Sequence, residues 1–204
     1  MDIELRKVIN NKIDCIEQFK LFRKIISNAI EEDNIKKDIQ LAIAVPLNGN
    51  INIKHIYSYF PLLDTDSPFN CILHATYSLG DHRNTINYSE TNKIIIKEQL
   101  NFLINIATIY ISNKDLNTAY RILLPTNYNK YYSWNFSSTF SKFDLEDYYI
   151  PKLSRLSMFE TVNNELISID SHPQKIDFEI PNILVGSAFN KLLKSKDNQN
   201  LNNL

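Results

Sequence analysis

The sequence predicts an α+β fold in which a sheet packs against helices. Two patterns carry that expectation. The apolar runs Ile39–Val45, His55–Phe60 and Asn70–Leu79 are closed by Pro46, Pro61 and Gly80, as strands are. The stretch from Glu90 to Ile111 instead repeats its apolar residues at three- and four-residue steps, the period of a helix.

Taken in order, Glu4 to Ile30 shows helical spacing at Val8, Ile13, Ile16, Phe19 and Phe22–Ile26, and predicts an amphipathic helix with Glu31–Asn34 as its polar exit. Ile39–Val45 reads as a buried strand, and Asn48-Gly49-Asn50 as a turn in which glycine can supply positive φ. His55–Phe60 is the next strand. The Asp64–Pro68 loop follows, its paired aspartates read as turn chemistry. From Asn70 to Leu79 the residues alternate, with Cys71, Leu73, Ala75 and Tyr77 on one face and Ile72, His74, Thr76 and Ser78 on the other. That predicts a sheet with one buried and one more polar face.

Ser89 is placed to cap the helix Glu90–Ile111, which is apolar on more than one side and therefore expected between the sheet and other helices. Asp115 caps a short helix ended by Pro125. Tyr128 to Phe143 is densely aromatic. With only Lys130 and Lys142 as basic partners it reads as core or interface, not as a stack for bases. Asp144 opens another helix, with Pro151 as kink or stop. Met158–Val162 and Glu165–Ile169 form a hairpin around an Asn163-Asn164 turn of the kind that tolerates type I′ geometry. Ile183–Leu193 reads as a final helix before a polar tail. A composition shift near Ser112-Asn113 divides the chain into residues 1–112 and a smaller mixed segment, 113–204.

At 204 residues, 44% hydrophobic and 22% charged, the chain can bury a substantial core. A net charge of −1 argues against a dedicated nucleic-acid binder. The opening Met1-Asp2-Ile3-Glu4 has no basic segment leading into an apolar run, so the expected location is the cytoplasm. Lys97, Glu98, Gln99, Asn101 and Asn105 interrupt the most apolar helix, so no membrane span is expected. Cys15 and Cys71 stand in apolar contexts without metal-ligand spacing and read as buried thiols.

With three glycines, Gly49, Gly80 and Gly186, the chain holds neither a dinucleotide fingerprint nor a phosphate loop. His55, His74, His82 and His172 are scattered, and no metal site is expected. The densest polar chemistry lies in the turn Gly80-Asp81-His82-Arg83-Asn84, between a strand end and a helix start. Arg83 is the candidate catalytic residue there: a guanidinium stays charged and presents a planar fork of donors that matches phosphate oxygens. The plain alternative is a surface arginine paired with Asp81 or Glu90.

Tyr57-Ser58-Tyr59-Phe60-Pro61, then Phe69–Leu79, then His82-Arg83-Asn84, resemble the sacsin-like branch of the Hsp90-like (GHKL) ATPases. In that branch a Tyr-x-x-Phe/Leu-Pro strand is followed by a variable loop. An apolar strand and an arginine motif opening a helix come next. Phe159–Leu166 resembles a hairpin found downstream in such proteins. The likeness covers about Ile39 to Leu103 well and the remainder loosely. It implies an S5-like middle domain with packed helices, inactive alone and part of an ATP hydrolase. Arg83 would reach the γ-phosphate of ATP, with its Mg²⁺, held by an upstream Bergerat domain. His82, Asn84 and Asn87 would assist at the nucleotide, and Asn84 stands where family members often carry a second arginine. The family's glycine-rich nucleotide motifs do not occur here, which implies a middle portion of a longer chaperone-like protein. The alternative function is a non-enzymatic interaction module or homodimer.

Overall fold

The computed structural model describes residues 1–9, 12–32, 35–47, 55–123, 128–129, 133–134, 143 and 146–171. The fold is mixed α+β. A six-stranded sheet in the order β1-β2-β3-β6-β4-β5 is built from β1 (Asp2–Ile9), β2 (Lys12–Glu32), β3 (Ile35–Pro46), β4 (His55–Ser58), β5 (Phe60–Asp66) and β6 (Ile72–Ala75). All neighbours are antiparallel except β4 and β6. Helices α1 (Glu90–Ser112), α2 (Leu116–Leu123) and α3 (Glu146–Ser154) follow. Residues Tyr128–Asn129 (β7) and Ser133–Trp134 (β8) pair briefly, as do Phe159–Glu160 (β9) and Leu166–Ile167 (β10).

The predicted N-terminal helix is not formed: Asp2–Ile9 and Lys12–Glu32 are strands. β2 is long enough to serve two partners, its first half pairing with β1 and its second with β3 (Lys20↔Val45, Ile26↔Ile39). The helical reading failed because β2 is apolar on both faces. Phe22 and Ile26 pack on the main core, while Phe19 and Leu21 join a separate small cluster with Ala44 and Ile72. A strand lined on both sides loses its two-residue alternation, and the remaining spacing imitates a helix. Between Ile26 and Ile30 the register shifts; there Asn28 takes φ 53° and its N–H donates to Asp38 Oδ1 at 2.9 Å.

The predicted strand His55–Phe60 breaks at Tyr59 (φ 66°), where the chain reverses so that Ser58 pairs with Phe60. The Asp64–Pro68 loop is likewise corrected, since Asp64 and Asp66 lie inside β5. Pro61 is tolerated because β5 is an edge strand, where a missing N–H costs no ladder bond on the open side. The alternation after Asn70 holds: Cys71, Leu73, Ala75 and Tyr77 are buried, and Ile72, His74 and Thr76 are partly exposed.

One hydrophobic cluster joins Ile39, Leu41, Ile43 and Val45 of β3 to Ile96, Leu100, Leu103 and Ala107 of α1, and it continues on both sides of residue 112 into α2, α3 and β9. Each of these buried Ile, Leu and Val side chains contributes about 1.5–3 kcal/mol. Asp115 Oδ1 accepts from Thr118 N at 3.1 Å, so the predicted cap of α2 is present. Pro151 sits inside α3. The hairpin β9–β10 is also as expected, but Asn164 alone of its turn pair has positive φ (64°), so the turn is not type I′. The Asn48–Asn50 turn, the helix Ile183–Leu193, His172 and most of the Tyr128–Phe143 run lie outside the described residues.

Candidate functional site

The turn singled out in the sequence is a narrow loop closed by an antiparallel bridge between Leu79 and Ile86. Gly80 N donates to Thr85 O at 3.1 Å and Arg83 N to Gly80 O at 2.8 Å. A side chain at Gly80 would put its Cβ 3.1 Å from Thr85 Oγ1 and 3.3 Å from Asn87 Oδ1, so glycine is what lets the two arms lie this close. Asp81, His82 and Arg83 stand exposed at the tip. Arg83 adopts φ 57°, a left-handed conformation that costs a non-glycine residue about 1–2 kcal/mol. Among the described residues its guanidinium makes no ion pair, with neither Asp81 nor Glu90 in reach.

The other two candidates lie lower. Asn84 is half-buried, and its carbonyl accepts from Thr65 Oγ1 at 3.5 Å. Asn87 is part of the base, with Nδ2 donating to Leu79 O at 2.8 Å and its backbone N to Ser78 O at 3.2 Å. The structure thus brings His82 and Arg83 together at the tip and gives Asn87 a bracing role below them.

Two residues of this assembly did not stand out in the sequence. Asn92 is fully buried; its Oδ1 accepts from Ser78 N at 2.9 Å, and its Nδ2 donates to Ser78 O at 2.7 Å and Asn87 O at 2.8 Å. Two helical turns on, buried Gln99 donates from Nε2 to His74 O at 3.2 Å and accepts from the Tyr77 hydroxyl. Residues seven apart share a helix face, so this pair forms a polar seam fastening α1 to β6 and its extension. The available signal was an amide inside the apolar stripe three residues after the cap, where Asn92 N donates to Ser89 Oγ at 3.1 Å.

His74 lies on the other face of the sheet, its Nε2 accepting from Tyr59 N at 3.4 Å. Burial holds its pKa below 6.5, against its own backbone hydrogen bond and with a smaller push from the Arg23 charge. Burial drives the Cys71 thiol well above its usual range, so it stays protonated and inert. Among the described residues no group of three His, Cys, Asp or Glu side chains is placed to hold a metal ion. By length and composition α1 is apolar enough to cross a bilayer; here it is the central helix of the core.

No family model, curated protein or solved structure matches the chain.

Proposed function

We propose that this chain is the S5-like coupling domain of a sacsin-like, Hsp90-family ATPase, and that Arg83 is lent to the γ-phosphate of ATP held, with Mg²⁺, by a nucleotide-binding domain outside this chain. The observation that carries the reading is Arg83 itself: exposed, at the tip of a braced loop, in a left-handed conformation and without an ion-pair partner among the described residues. An arginine kept for its own fold would be paired or packed. The chain's three glycines form no nucleotide-binding motif, and Gly80 sits against the Thr85 and Asn87 side chains across this loop.

In this reading the guanidinium meets charge developing on the transferring phosphoryl group, an interaction worth roughly 10³–10⁵ in rate. His82 and Asn84 flank it, and Asn87 holds the arms of the loop together. The Asn92–Gln99 seam makes the loop and α1 move as one body, so engagement of Arg83 is felt along the whole helix. In the full-length protein, Arg83→Ala should lower ATP turnover by about 10³-fold or more while nucleotide binding persists. Unchanged turnover would reject the role.

A second reading, a homodimer or interaction module, is favoured by the edge hairpin β4–β5. Tyr59 at its turn is 78% and Leu63 on β5 62% exposed, and among the described residues the outer edge of β5 has no partner strand. Strand addition between two copies predicts a concentration-dependent dimer in light scattering that Leu63→Lys abolishes.

A further inference from the structure

Among the described residues the helices pack on one face of the six-stranded sheet, and the opposite face forms a groove of about 480 Å³. That volume lies in the range of small-molecule sites, roughly 300–1,000 Å³. The concavity has a simple cause. Ala42 and Ala44 occupy the middle strand, and the larger Leu21, Ile25, Ile72 and Tyr57 stand around them. One rung across four strands reads Arg23–Ala42–His74–Tyr57, so a permanent cation sits beside a two-methyl floor and a half-buried imidazole.

Arg23 is exposed, and among the described residues it has no carboxylate partner. His74 cannot supply one, and its Nε2 is already taken by Tyr59 N. Lys24 borders the groove, but its Nζ is paired with Glu98 Oε2 of α1 at 3.4 Å, so the positive charge on this face is that of Arg23. Ile25, which borders it, is 65% exposed. A surface that is apolar underneath and cationic at one end calls for a ligand that is apolar along its body and anionic at one end.

We propose that this face binds an amphipathic monocarboxylate, its hydrocarbon body on Ala42, Ala44 and Ile72 and its carboxylate forked onto Arg23. The match is one of charge and shape: a guanidinium donates to both carboxylate oxygens at once, while a bare inorganic anion would leave the apolar floor wet. A second copy of the chain fits less well. A two-fold axis through the groove would set Arg23 near its own symmetry mate, like charge against like. The site is separate from Arg83 and does not depend on the role proposed for it.

The experiment is calorimetric titration of the full chain with decanoate, below its micelle-forming concentration, and in parallel with decanol. Saturable one-to-one binding of decanoate is expected. Arg23→Gln should weaken it by about tenfold, the value of one charge-assisted contact, and leave decanol unchanged. Ala42→Leu, which fills the floor, should weaken both. If that variant is not folded by circular dichroism, perturbation of the His74 ring signals in NMR on adding decanoate to wild type replaces it. Arg83→Ala should bind as wild type does. Absence of saturable binding overturns the proposal, as does decanoate affinity indifferent to Arg23→Gln. A dimer that forms without decanoate binding and is lost in Ala42→Leu would assign the face to a second copy, and overturns it too.

Discussion

The base and the tip of the loop between Leu79 and Ile86 are built by opposite rules. At the base the amides of Asn92 and Asn87 tie the two arms to the helix. Asn92 makes three side-chain hydrogen bonds while fully buried, and Asn87 bonds back to Leu79 and Ser78. At the tip, a few residues away, Arg83 holds a strained φ and has no ion-pair partner among the described residues, with Asp81 and His82 exposed beside it. Polar residues at the base are there for the fold, because a buried amide left unmatched is costly. Those at the tip do nothing visible for the fold, which is why they are the ones to question about function.

The sharpest way to break this contrast is at the base. Asn92→Leu leaves Ser78 N and Asn87 O without this partner and takes one of two donors from Ser78 O, and should cost about 2–3 kcal/mol in urea or guanidinium unfolding. A loss below about 0.5 kcal/mol would mean that water replaces the amide and that the base is not a brace. At the tip, Arg83→Gly removes the left-handed penalty but adds backbone entropy to the unfolded chain. Stability should therefore stay within about 1 kcal/mol of wild type, on the stabilising side. A clear destabilisation would show that the arginine serves its own fold.

The smallest effect concerns His74, on the sheet's open face. Its folded pKa lies below 6.5, so between that lowered value and 6.5 the unfolded chain binds more protons than the folded one. Stability therefore declines as pH falls through that window. His74→Gln should flatten the fall in melting temperature on the acid side, as seen by thermal melts between about pH 7 and pH 5. An unchanged pH profile would mean that the imidazole is better solvated than its burial indicates.

Legibility in the sequence followed how many surfaces each element touches. The alternation from Cys71 to Tyr77 could be read directly because β6 has one buried face and one open face. α1 and its Ser89 cap were legible because capping is local chemistry, decided within three residues. β2 was not: with Phe22 facing the main core and Phe19 and Leu21 in a second cluster, its pattern has no two-residue period to find. The reversal at Tyr59 was hidden too, because no glycine or asparagine marks it; what fixes it in the structure is pairing of Ser58 with Phe60 and the bond to His74.

The same division runs through the candidate site. Arg83 and its turn could be picked from residue types between a strand end and a helix start, since charge and turn chemistry belong to the residues themselves. The clamp by Asn92 and Gln99 could not, because a polar residue on an apolar helix stripe acquires its meaning only from what faces it. By itself the sequence determined that the stretch from Glu90 would be a capped helix and where the dense polar turn would lie, through capping, period and glycine placement. Only the tertiary structure decided that Asp2–Ile9, Lys12–Glu32 and Ile35–Pro46 are strands of one sheet, that Arg83 has no ion-pair partner among the described residues while Asn87 is tied down, and that the face of the sheet away from α1 holds a groove. Those outcomes depend on which partners burial brings together across long stretches of chain, and burial is a property of the assembled fold rather than of any local stretch of residues.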